Sequence, residues 1–306
     1  MSKILKEIAE IPERAVKFWE NSESYRLPLK VPYLGMGSSY FAPLAFRYMN
    51  IDIYPELASE YFNYTGKKKL PYAVLLSQSG RSSEAIWCAM LFEKYIAITN
   101  YPDCELSQLH GCEKNISILA GHEEYSSSKT YINTLLSLFR GFGFEMSDSL
   151  LLLTKRMSFY EDLGKKMATE VYELISQKNI HGIYITGSGP NIATAYESSL
   201  ILSESTKICF TGMPMALYDH GPKETVKNSI VIQIMAKGAS YERTGKLNDL
   251  ISRAGAHVIT VEEPEVSENQ SVIHNMVPFN FMAYYLAQKM NITETFVVGG
   301  KVTEVC

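Results

Sequence analysis

Residues 31–49, VPYLGMGSSYFAPLAFRYM, run from an apolar strand through a turn of small residues at Gly35, Gly37, Ser38 and Ser39 into a helical stretch. Residues 182–200, GIYITGSGPNIATAYESSL, repeat that order about 150 residues later, turning at Gly187, Ser188 and Gly189. Such a turn aims backbone N–H groups and hydroxyls at one point above a helix N-terminus, a favourable place for an anion. Two copies in one chain predict a duplicated α/β protein that handles a phosphorylated small molecule.

Outward from these units the same alternation continues. In the first half, strands are expected near 31–35, 51–54 (closed by Pro55), 72–80, 95–100 and 115–121, with helices near 39–49 and 82–93. The serine cluster in EYSSSKTYINTLLSLFRGFG suits an N-cap and opens a further apolar helix. In the second half, strands are expected at 183–187, 208–212, 229–238 and 257–261, and helices at 190–206, 242–253 and 274–290. Strand–helix alternation of this kind predicts parallel sheets with helices on both faces. Residues 145–178 read as a helical connector, which divides the chain into domains 1–154 and 155–306, the second carrying the C-terminal tail.

With 306 residues, 46% hydrophobic and 20% charged, the chain is long enough for two full cores. A net charge of −4 argues against a broad nucleic-acid surface, so any phosphate must be held by local donors. The cysteines are scattered without a C-x-x-C pair, and Cys104 and Cys112 near His110 fall short of a four-ligand zinc site, so no metal is expected. The opening MSKILKEIAEIPERAVKFWE is charged throughout and reads as an amphipathic helix, not a signal peptide. No apolar run reaches the length of a membrane span, and the cytoplasm is the expected location.

The candidate site gathers at SQSGRSS (77–83) and GMGSSY (35–40), each at the carboxyl end of an expected strand, where open α/β sheets bind ligands. Ser77, Gln78, Ser79 and Ser82 suit one phosphate, with Ser38 and Ser39 closing it from the neighbouring loop. Serine turns also serve simply as helix caps. Their occurrence at equivalent strand ends of one sheet favours a ligand. In the second half, Glu197 and Glu204 sit seven apart on one helix, hence on nearly one face, and His220-Gly-Pro follows sixteen residues after Glu204.

These motifs resemble the sugar isomerase (SIS) domain family in its double-domain members, which implies two tandem flavodoxin-like three-layer sandwiches. The likeness is nearest to the isomerase half of glucosamine-6-phosphate synthase and to the deaminase-like proteins that lack its glutaminase. The family's G-T-S-Y is similar to Gly37-Ser38-Ser39-Tyr40, its S-Q-S-G-x-[ST] to Ser77–Ser82, and its A-S-T-K to Ser126-Ser127-Ser128-Lys129. The opening KEIAEIPE is similar to the segment that leads into these domains. The resemblance implies that Gly37, Ser38, Ser39, Ser77, Gln78, Ser79, Ser82 and Ser127 bind the phosphate or sugar. It further implies that Glu204 is the proton-transferring carboxylate, that His220 opens the ring, and that Lys301 of the GGKVTEVC tail covers the sugar. Three departures bear on the substrate: Arg81 follows S-Q-S-G, Ile201 replaces a lysine between the two glutamates, and TETFVVGG replaces the usual segment before the terminal lysine.

Aldose–ketose interconversion moves a proton between C1 and C2, which wants a carboxylate beside an enediol and a histidine that titrates near neutrality. Burial is expected to raise the carboxylate's pKa. No metal or organic cofactor is required. With no N-terminal cysteine and no glutaminase region ahead of the first unit, the chain is not expected to draw ammonia from glutamine. Expected is an isomerase or deaminase of an amino-sugar phosphate, glucosamine 6-phosphate with fructose 6-phosphate. A phosphoglucose or phosphomannose isomerase of the same fold and a non-catalytic phosphosugar sensor are the alternatives. The expected ligand is a phosphorylated hexose or hexosamine, the expected assembly a homodimer, and neither nucleic acid nor membrane is an expected partner.

Overall fold

The structure is a computed structural model that describes residues 2–66 and 68–303. Five strands make the first sheet: β1 (Pro32–Gly35), β2 (Tyr54–Leu57), β3 (Leu70–Leu76), β4 (Phe92–Thr99) and β5 (Cys112–Ser117). They lie in the order β2-β1-β3-β4-β5, all parallel. That is the flavodoxin-like doubly wound order, whose direction of winding reverses between β1 and β3. The loops leaving β1 and β3 therefore flank the crevice where such sheets place ligands.

The side chains of β1 show how the layers form. Successive residues of a strand face opposite sides. Tyr33 belongs to an aromatic layer with Phe142 (6.0 Å between ring centres), where Phe46 meets Phe139 at 4.8 Å. These rings come from the helices Ser38–Tyr48 and Lys129–Phe142. Leu34 packs on the other side with Leu75, Tyr95 and Ala97, against Ala85, Cys88 and Ala89 of the helix Ser83–Ala89. Both faces of β1 are thus buried, which accounts for its unbroken apolar run. Each fully buried large side chain contributes about 1.5–3 kcal/mol.

The second sheet has four parallel strands, β6 (Gly182–Gly187), β7 (Thr211–Pro214), β8 (Ser229–Met235) and β9 (His257–Glu262), in the order β7-β6-β8-β9. On one side Val231 packs with Met215, Tyr218, Leu247 and Ile251 from the helices Met215–His220 and Tyr241–Arg253. The helix Asn191–Thr206 packs on β6 and on the helix Val277–Lys289. The α/β class and the flanking helices match the sequence reading.

Contacts divide the chain into two compact units. One comprises Glu10–Leu150 with the tail from Val298; the other comprises the opening residues through Ala9 with Leu151–Val297. The helix Lys3–Ala9 packs against Val277–Lys289 within its unit. The long helix Ser147–Gln177 lies where a helix is expected at 145–178. Among the described residues, no helix is long and apolar enough to cross a membrane.

Several elements differ from expectation, among them β5, expected at 115–121 and found at Cys112–Ser117. The opening helix is two helices, Lys3–Ala9 and Ile11–Asn21, the second with Pro12 in its first turn. The stretch 274–290 breaks likewise into Ser271–His274 and Val277–Lys289, with Pro278 near the second start. The strand expected at 51–54 lies at Tyr54–Leu57 and includes Pro55, which an outermost strand tolerates because its lost donor need not break an interior ladder. The strand expected at 208–212 lies at Thr211–Pro214, also outermost.

Candidate functional site

The loops after β1 and β3 start side by side, because Leu34 pairs with Leu75 in the sheet register. After β1 the chain turns at Gly37, whose φ of 51° lies in the left-handed region that glycine adopts without strain. Tyr40 and Phe41 donate their N–H groups to the Gly37 carbonyl at 2.8 and 3.0 Å, so Ser38 and Ser39 open the helix Ser38–Tyr48 directly.

After β3 the loop closes on itself. The Gly80 N–H donates to the Ser77 carbonyl at 3.0 Å, and Ser77 Oγ donates to Ser82 Oγ at 3.0 Å. The Arg81 N–H donates to Ser79 Oγ at 3.2 Å. Ser77 is buried, whereas Gln78, Ser79 and Ser82 are half-buried and Arg81 is exposed. Gly80, at φ +66°, lies so tightly on Cys104 that an added Cβ would come within 2.1 Å of its Sγ. The side chain of Cys104 thus forms the floor of this turn, a structural role for a thiol that the sequence reading left unassigned. Among the described residues no group of three or more His, Cys, Asp or Glu side chains is arranged to hold a metal ion.

The serine cluster after β5 joins the same end of the sheet: Ser38 Oγ donates to Ser127 Oγ at 3.2 Å. Two residues not singled out in the sequence fix this arrangement. Asn100, just past β4, donates from its N–H to the Gln78 carbonyl (2.9 Å) and from Nδ2 to the Gly121 carbonyl (2.6 Å). Its Oδ1 accepts the Ala120 N–H at 3.0 Å, so this buried residue joins the loop after β3 through its main chain and the loop after β5 through its side chain. Glu123 accepts the Ser128 N–H (3.1 Å) and Oγ (2.6 Å) and the Thr130 hydroxyl, holding the turn that presents Ser127. A polar residue directly beyond a parallel strand was the available signal for Asn100.

The result is a cluster of hydroxyls at the switch point of the first sheet. Hydroxyls both donate and accept, and neutral donors with backbone N–H groups can hold a phosphoryl group without a basic field. The buried Lys129, which follows the cluster, is committed elsewhere: its Nζ pairs with Glu10 at 2.5 Å.

The C-terminal tail belongs to the same unit. Ser83 Oγ donates to the Thr303 carbonyl at 2.6 Å, and Thr303 Oγ1 donates to Glu84 Oε1 at 3.0 Å. Lys301, two residues earlier, is exposed.

In the unit of the second sheet, Glu197 and Glu204 lie on the helix Asn191–Thr206. Glu197 is fully buried, and Glu204 is half-buried near the helix end, where its carbonyl accepts Lys207 Nζ at 2.5 Å. Ile201 between them is a core residue, 1% exposed. His220 is exposed at the end of the helix Met215–His220. The adjacent Asp219 accepts Lys223 Nζ and an Arg243 guanidinium nitrogen, each at 2.9 Å. Hydrogen bonds from Arg243 and Lys223 hold its carboxyl below the usual range.

No family model matches the chain. It is similar to human glutamine–fructose-6-phosphate aminotransferase [isomerizing] 2, 24% identical over 294 residues, covering 83% of this chain and 42% of that protein. The chain therefore spans about two fifths of the length of that curated relative. Among solved structures it resembles glucosamine-6-phosphate deaminase from Thermotoga maritima (TM-score 0.74, 21% identity, 95% of this chain and 96% of that one). It also resembles the C-terminal domain of glucosamine-fructose-6-phosphate aminotransferase from Francisella tularensis (TM-score 0.76, 18% identity, 95% and 98%). The fold is shared. What the chain does with it is a separate question.

Proposed function

We propose that the chain is a phosphosugar isomerase or deaminase acting on an amino-sugar phosphate, interconverting glucosamine 6-phosphate and fructose 6-phosphate. What supports this reading is two hydroxyl pairs, Ser38–Ser127 and Ser77–Ser82, with Ser38, Ser77 and Ser82 on the loops that leave the adjacent strands β1 and β3 at the switch point of the first sheet. The fold shared with a deaminase and with an aminotransferase domain supports the choice of substrate class.

In this reading Ser38, Ser39, Ser77, Gln78, Ser79, Ser82 and Ser127, with the Gly37 turn, take the phosphoryl group. His220 protonates the ring oxygen and opens the sugar. Glu204 takes the C2 proton and returns it to C1, converting the open-chain amino-aldose to a C2 imine. Water then hydrolyses the imine to ketose and ammonia. Lys301 supplies an amine for ring opening or for a Schiff base with the ketose. The working unit is a homodimer.

Purified protein given glucosamine 6-phosphate is expected to release ammonia and fructose 6-phosphate in equal amounts, and to consume both in reverse. Glu204→Gln is expected to lower turnover about 10²-fold or more, the usual scale for loss of a general base, while binding inorganic phosphate as before. Specific phosphosugar binding with no turnover by the unsubstituted protein would make it a sensor instead.

A further inference from the structure

We infer that Glu84 is the latch that fixes the C-terminal tail, and with it Lys301, beside the serine loop; this assignment of Glu84 as a positioning residue rests on the reading above. Glu84 is the second residue of the helix Ser83–Ala89, which begins directly after the Ser77–Ser82 turn. Its side chain is buried, with the residue 7% exposed. A carboxylate buried next to a loop suited to an anion is electrostatically out of place unless it serves another donor.

Thr303 is that donor. Its hydroxyl bonds Glu84 Oε1 at 3.0 Å while its carbonyl accepts Ser83 Oγ at 2.6 Å, so one tail residue is held through both main chain and side chain. Glu84 Oε2 is buried and has no partner, leaving capacity for a second donor from the same tail. The segment makes few apolar contacts: Phe296 and Val297 are more than half exposed, and Val298 and Val302 are almost wholly so. A segment with few apolar contacts opens at low cost, so its polar contacts, the two made by Thr303 among them, weigh heavily in whether it is docked. The turn that takes the phosphoryl group and the residue that seats the tail are neighbours in sequence, and a shift in one is felt by the other.

The test uses the full chain and reads tail docking apart from chemistry. Trypsin cleavage after Lys301, followed by intact mass, is expected to run about tenfold faster in Glu84→Ala and Thr303→Val, the scale of one lost hydrogen bond. Thr303→Ser keeps the hydroxyl and is expected to match the unsubstituted protein. Inorganic phosphate affinity should stay within about twofold in every variant, since none of these groups is assigned to the phosphate, while kcat falls about tenfold with little change in KM. Thr303→Val alters only the tail and tests the idea even should Glu84→Ala fold poorly. Equal cleavage of all the proteins, or fast cleavage with an unchanged kcat, overturns the latch. Faster cleavage in a protein that turns over no phosphosugar at all would keep the latch and sink the catalytic reading on which it was built.

Discussion

Ser38 donates its hydroxyl hydrogen to Ser127 across 3.2 Å, joining the first turn of one helix to a serine 89 positions further on. No local turn or cap requires this bond. It draws the loops after β1 and β5 together at one end of the sheet, where the loop after β3 already presents Ser77 and Ser82.

Breaking this cluster should weaken anion binding without unfolding the protein. Ser127→Ala is expected to raise the Kd for inorganic phosphate about fivefold, the effect of one hydrogen bond near 1 kcal/mol. Ser77→Ala should cost more, because its oxygen also accepts the Ser82 N–H at 3.4 Å. Titration calorimetry measures both. Unchanged affinity in the pair would move the phosphate elsewhere.

Two glycines should respond to alanine in opposite directions. Gly80→Ala places a Cβ at φ +66° and 2.1 Å from Cys104 Sγ, and is expected to destabilise by about 2–3 kcal/mol through strain and overpacking. Gly245 lies inside the helix Tyr241–Arg253 with open space at its Cβ, so Gly245→Ala should stabilise by about 0.5–1 kcal/mol. Thermal unfolding of the two variants separates backbone strain at the serine loop from ordinary helix propensity.

Acid should destabilise the unit of the second sheet through a buried cluster. Tyr160 Oη lies 2.8 Å from Glu263 Oε2 and 2.7 Å from His274 Nδ1, and Arg156 Nε donates to Glu263 Oε2 at 3.1 Å. Burial pushes the His274 imidazole down to about 4. Burial also opposes the Glu263 charge, but hydrogen bonds from Arg156, the Glu265 N–H and Tyr160 outweigh it and hold that carboxyl below its usual range. For His274 the unfolded chain binds the proton first, so stability is fully present above about pH 6.5 and is lost as pH falls toward 4. The loss is on the order of 3 kcal/mol. Denaturant unfolding at stepped pH should show this slope, and His274→Asn should flatten it.

Dimer chemistry is open to complementation. Should His220 serve a partner's sugar, mixing inactive Glu204→Gln and His220→Ala chains restores part of the activity. A verified heterodimer with none would confine both residues to one chain.

The sequence was most readable where periodicity and turn chemistry agreed. β1 and β3 are apolar runs ended by glycine and serine, and the helices after them begin at the serines. It misled at prolines. Pro55 reads as a strand terminator yet lies within β2, because only an outermost strand can lose a donor so cheaply, and position in the sheet is not written locally. Pro12 and Pro278 divide amphipathic stretches that apolar spacing alone runs together. Site residues followed the same division. The serines announced themselves by clustering, whereas Asn100 acts by joining loops about twenty residues apart, and nothing in its neighbours shows the partners it reaches.

The prolines within β2 and β7 have a consequence for the protein in company. An outermost strand with a full row of amides invites a stranger's strand to add to it, whereas Pro55 and Pro214 interrupt that row in either sheet. Two copies meeting along these margins cannot readily fuse into one continuous ribbon. Strand addition is thereby discouraged at the β2 and β7 margins and left to the opposite margins, β5 and β9, which carry no proline.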